Sequence, residues 1–159
     1  MREILNTKGQ TMVEFALVIT LFFAILFGIV EFGRAWYYSN HLGNSVRAAA
    51  RYGAVYANSS SLYPNKYNVG SINSGTILYA TSEISSFMNA TPGGGPGQFQ
   101  VAVNIFPNNS TTARGTSDKA KRGDTLKVSA TYNYQILTGK IIPNFGLTRL
   151  IRSASMPIE

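Results

Sequence analysis

The sequence predicts an α+β protein: a long N-terminal transmembrane and stalk helix, then a small head with a second helix and an antiparallel sheet of about three strands. Three observations predict it. An apolar run with no polar face occupies Met12 to Val30. From Glu31 to Ala57 there is no proline, and small or helix-forming residues recur. Two later segments alternate apolar and polar residues at the strand period of two.

Phe15 to Val30 carries no charge. With Met12 and Val13 the greasy stretch reaches about 19 residues, or about 28 Å of helix, close to the thickness of a bilayer's hydrocarbon core. Arg2 and Lys8 precede it, opposed only by Glu3, whereas Glu31 and Arg34 follow it and cancel. The basic flank predicts an N-terminus in the cytoplasm and the C-terminal bulk outside. A cleaved secretory signal peptide has a similar outline. Against it, EFGRAWYYSNH after Val30 contains no small-x-small pair, and Glu14 lies inside the apolar stretch.

A carboxylate at that depth costs about 2.5–3.5 kcal/mol on insertion scales, so Glu14 requires an account. Either it sits one turn inside the headgroups and reaches back to water, or it meets a cation at the same depth, such as a free N-terminal amine created by cleavage nearby.

The remaining elements follow in order. Extended through Ala57, the first helix runs from Gln10 and measures about 72 Å, roughly half of it beyond the bilayer. Ser45, Ala49, Gly53 and Ala57 recur every four residues as a helix-packing stripe, and Tyr38, Leu42 and Val46 make a bulkier one. These stripes suit a seat for the protein's own head or a partner helix. Arg47 and Arg51 read as a solvated face. Asn58 to Gly75 reads as a surface loop, and Thr76 to Ala90 as an amphipathic helix burying Ile77, Tyr79 or Ala80, Ile84, Phe87 and Met88. The glycine-rich stretch Pro92 to Gly97 reads as a linker. No Gly-Lys-Ser/Thr follows it to suggest a phosphate loop.

Phe99, Val101, Val103 and Ile105 alternate with Gln98, Gln100, Ala102 and Asn104, and Leu126 to Gln135 alternates likewise. Leu147 to Met156 completes the expected strands, after a crossing loop at Ile136 to Gly146. Between the first two strands lie Arg114, Lys119, Lys121 and Arg122. Without an aromatic stacking platform this basic loop favours plain solubility over nucleic acid.

Composition limits the chemistry. Of 159 residues 45% are hydrophobic and 13% charged, the net charge is +7, and cysteine is absent. This excludes disulfides, thiolate metal sites and a cysteine nucleophile. His41 is the single histidine, and the acidic residues are scattered. No metal, cofactor or catalytic residue is expected, and the chain reads as a non-enzyme.

The residues GQTMVEF, Gly9 to Phe15, resemble a type IV prepilin processing site, with a short basic leader ending in Gly and a Glu at the fifth position after it. Phe15 resembles the aromatic partner of that Glu in the Flp branch. FGIVEFGRAWYYSNHLGNSVRAAARYGAVYA, Phe27 to Ala57, and the terminal IRSASMPIE are similar to the TadE-like family of tight-adherence pilus proteins.

The resemblance implies cleavage between Gly9 and Gln10 by a membrane aspartyl prepilin peptidase. It also implies a subunit-assembly role for Glu14 and Phe15, with Glu14 neutralising the amine of a neighbouring subunit. Two unit charges about 4 Å apart attract by about 4 kcal/mol at an effective dielectric of 20, which is comparable to the desolvation they must offset.

The expected domains are a leader at 1–9, a transmembrane and stalk helix at 10–57, and an extracytoplasmic head at 58–159. The implied function is a minor pilin or pseudopilin acting in pilus assembly, adhesion or secretion. It would reside in a prokaryotic cytoplasmic membrane or an extracellular pilus. Its implied partners are other pilin subunits, the prepilin peptidase, the inner-membrane assembly platform and the lipid bilayer. The first mature residue, Gln10, departs from the usual Phe or Met and can cyclise. An uncleaved, signal-anchored binding module is the alternative reading.

Overall fold

The computed structural model describes residues 7–59, 68–108, 110–136 and 148–158. The predicted leader up to residue 6, most of the loop after Ser59 and nearly all of the crossing loop lie outside them. The fold is α+β: helix α1 (Thr7–Ser59), helix α2 (Val69–Met88), and strands β1 (Phe99–Phe106), β2 (Thr125–Tyr134) and β3 (Thr148–Pro157). The strands form one antiparallel sheet in the order β1-β2-β3. Val103 faces Val128, and Val128 faces Ala154.

Two compact units divide the chain, Met1–Trp36 and Tyr37–Glu159. Within the described part of the first there is only helix. From Met12 to Val30 every large apolar side chain but Ile19 is exposed, between 42% at Leu26 and 78% at Met12. The helix is long and apolar enough to cross a membrane.

The second unit builds a core from the C-terminal part of α1, from α2 and from one face of the sheet. Leu42, Val46, Ala49 and Ala50 of α1 are buried, with Ile72, Ala80 and Ile84 of α2 and Phe99, Val103, Ile105, Leu126, Val128 and Ala130 of the sheet. Tyr38 stacks against Tyr132 and Tyr134 at ring-centre distances of 5.3 and 5.6 Å. The strands alternate because one face lies on the helices: in β1, Gln100, Ala102 and Asn104 are exposed between buried or half-buried neighbours.

The stripe Ser45, Ala49, Gly53 and Ala57 is buried along its length. Gly53 marks the tightest approach. A Cβ there would stand 2.5 Å from Thr76 Oγ1 of α2 and 2.6 Å from Leu126 Cδ2 of β2.

Helix α2 departs from the sequence expectation at its start and on its buried face. It begins at Val69, inside the stretch read as a loop. Gly70, Gly75 and the surrounding Asn and Ser residues are poor helix formers, yet tertiary partners override that. Asn68 Oδ1 accepts from the Ser71 N–H at 2.9 Å as an N-cap. The N–H groups of Val69 and Gly70, which no helix can satisfy internally, donate to the carbonyls of Asp118 and Thr116 at 2.8 and 2.9 Å. The buried stripe is Val69, Ile72, Thr76, Ala80, Ile84 and Met88, whereas the expected core residues Ile77 and Phe87 are 37% and 54% exposed. Thr76 replaces them in the core because its hydroxyl donates to the Ile72 carbonyl at 2.7 Å. Asn89, in the left-handed region, closes the helix with its N–H on the Ser85 carbonyl.

The glycine-rich stretch is a built turn rather than a loose linker. Gln98 folds its side chain back to accept from the Gly95 N–H at 2.7 Å, and Asn133 Nδ2 donates to the Gly94 carbonyl at 2.7 Å. A Cβ at Gly93 would collide with the Gln98 amide.

The basic loop also contains more than solvated charge. Arg114 Nε and Nη2 form a two-pronged pair with Asp124 at 2.6 and 2.9 Å, and Asp124 is 2% exposed. Burial pushes the Asp124 carboxyl up. The Arg114 hydrogen bonds, the Lys121 N–H and the two positive charges outweigh this and leave it below its ordinary value. The hydrogen bonds that Arg114 donates to Asp124 raise Arg114 in turn. The Asp124 backbone meanwhile receives the Ile158 N–H at 2.8 Å, so the pair fastens the loop to the end of β3.

Gly53→Ala should lower thermal stability in detergent, by about 1–3 kcal/mol if the close approach is simply overpacked. Gly75→Ala, whose Cβ would find Tyr56 at an ordinary 3.7 Å, should be neutral or stabilising by up to about 1 kcal/mol. Equal effects of the two would refute the close-packing account. Arg114→Ala strands a buried carboxylate and should cost about 3–5 kcal/mol in chemical denaturation. Because the folded Asp124 value is depressed, its stabilisation is complete above about pH 4 and is lost as pH falls through the folded value. Asp124→Asn should remove that acid-dependent component from a pH series of unfolding curves.

Candidate functional site

In the first unit, the residues singled out for processing and assembly lie consecutively on the first turns of α1. Gly9 and Gln10 are helical and exposed. Apart from its chain neighbours and the nearby backbone of the helix, no described atom lies within 4 Å of the place a Gly9 Cβ would take. Among the described residues, packing therefore does not require glycine there.

One turn on, Glu14 Oε1 accepts a hydrogen bond from Gln10 Nε2 at 3.0 Å. The i,i+4 spacing brings these two side chains over the same turn. Phe15 beside it is 65% exposed. Thr20 returns its hydroxyl to the Ala16 carbonyl at 2.7 Å, satisfying the polar group next along the apolar run. At the other end of the run, Glu31 and Arg34 form an i,i+3 ion pair at 3.6 Å. Phe32 and Trp36 stack at 6.1 Å.

The Gln10 to Glu14 hydrogen bond was not anticipated from the sequence. Its signal lies in the sequence, since an amide and a carboxylate four apart on a helix are within reach.

The stripe residues fall in the second unit. Ser45, Ala49, Gly53 and Ala57 are all buried, and at Gly53 the close approach is to Thr76 of α2 and Leu126 of β2 in the same chain. Arg47 and Arg51 are exposed, as a solvated face requires. Arg47 also donates to Asn44 Oδ1 at 2.8 Å. His41 lies between the rings of Tyr37 and Phe87, at 4.2 and 5.6 Å, in an aromatic contact rather than a ligand cluster. Among the described residues, no three His, Cys, Asp or Glu side chains come together.

Comparison with known proteins bears on the N-terminal segment. No curated protein and no solved structure matches the chain. The family model described as TadE-like protein matches residues 9–51, which run from the glycine beside Gln10, through the uncovered apolar helix, to Arg51. This segment, with its apolar membrane-length helix, is similar to the TadE-like family.

Proposed function

We propose that the chain is a minor pilin or pseudopilin of a tight-adherence type IV pilus system. It is made as a precursor, cut between Gly9 and Gln10 by a prepilin peptidase, and used in assembly, adhesion or secretion as a structural subunit. The observation that carries this reading is that the TadE-like match, residues 9–51, falls on the helix whose apolar surface nothing in the first unit covers. Lipid covers that surface when the protein is stored in the cytoplasmic membrane, and the helices of other pilin subunits cover it on assembly. The flanking charges favour an N-terminus in the cytoplasm and the second unit outside it.

Gly9 supports the cleavage step. The position is open among the described residues, so a peptidase can reach the bare backbone there. Glu14 supports the assembly step. Oε1 is held by Gln10, while a carboxylate has lone pairs to spare for the amine of another subunit. In hydrocarbon that attraction is little screened, so it favours docking in one register.

Gly9→Leu should leave a full-length precursor in membranes that contain the peptidase, read by intact mass. Glu14→Ala should still be processed but should fall several-fold in co-purification with pilin subunits. A wild-type product that still begins at Met1 would favour an uncleaved signal anchor and overturn the proposed processing. Undiminished co-purification of Glu14→Ala would overturn the role assigned to that carboxylate.

A further inference from the structure

We infer that Glu14 protects the new N-terminus from cyclisation, so that mature Gln10 keeps a free α-amine. The inference rests on the proposed cleavage after Gly9, which makes Gln10 the first residue. In the cyclisation of an N-terminal glutamine, the α-amine nitrogen bonds to the side-chain Cδ, the Cδ–Nε2 bond breaks, and ammonia leaves. No oxidant or reductant takes part. The product has lost both the ionisable amine and the Nε2 donor. Cyclisation of Gln10 would therefore remove the cation on which docking at Glu14 depends.

The geometry opposes that reaction. Ring closure requires the Gln10 side chain to fold back onto its own nitrogen, toward the helix N-terminus. In the structure its amide reaches the other way, one turn along α1, and Nε2 donates to Glu14 Oε1 at 3.0 Å. Gln10 lies two residues before the apolar run and Glu14 within it. A hydrogen bond to a charged acceptor is stronger than one between neutral groups, so the amide stays engaged. Glu14 thereby acts as a positioning residue within its own chain, and Oε2 remains for the amine of a neighbour.

The test follows loss of ammonia by intact mass, over time, on full-length chains handled in two ways. In one, the chain is processed in membranes containing the prepilin peptidase. In the other, a site-specific protease sequence replaces the leader and releases Gln10 in detergent. Wild type should keep Gln10 open on both routes. Glu14→Leu should cyclise about tenfold faster, and Glu14→Gln, whose amide oxygen still accepts but carries no charge, should fall between the two. Equal rates for wild type and Glu14→Leu on the protease-released chain would overturn the protection. A peptidase route that leaves Met1 in place would overturn the processing reading instead, and the protease route separates the two failures.

Discussion

Helix α1 has to satisfy two opposite demands along one continuous backbone, and the rest of the molecule is arranged around how it does so. From Met12 to Val30 its apolar side chains point outward in every direction and find no cover within their own unit. In water such a surface is costly, at roughly 25 cal/mol for each Å² of apolar area exposed. From Tyr38 onward the same helix has one apolar side, and α2 and the sheet are laid against it. The close approach at Gly53 lets Thr76 and Leu126 come within reach of the α1 backbone. A side chain at that point would hold both elements away, and Leu42, Val46 and Ala49 would lose their tight cover.

The connections are held by polar groups that are accounted for in detail. Asp124 lies almost fully buried and is tolerable there because Arg114 meets it with two hydrogen bonds. The same segment supplies the carbonyls of Thr116 and Asp118 to the first N–H groups of α2. A loop whose composition suggests free solvation thus both starts a helix and secures the last strand. The glycine-rich turn behaves similarly, with Gln98 and Asn133 closing its backbone onto the sheet.

In the first unit, polar groups within the apolar run are met by their own neighbours, Glu14 by Gln10 and Thr20 by the Ala16 carbonyl, and Arg34 just beyond it forms an ion pair with Glu31. That economy suits a bilayer, where an unpaired polar group is expensive.

Much of this was legible in the linear chain. The continuous apolar run, the absence of proline as far as Ala57, and the alternation at Phe99–Ile105 and Leu126–Tyr134 are periodic signals that local geometry turns directly into a helix and strands. The small-residue stripe likewise marked where a backbone can come close. The start of α2 was not legible, since Val69 and Gly70 are secured by carbonyls nearly fifty residues away in the chain. Thr76 in the core and Phe87 at the surface reverse the order that hydrophobicity alone suggests. Arg114 looked like any solvated cation until folding set Asp124 beside it. Periodicity is a property of neighbours along the chain, and it determined the elements and the apolar helix. Capping by a distant carbonyl, burial of a hydroxyl and pairing of a charge depend on which segments meet in space, and these were decided only when α1, α2 and the sheet packed together.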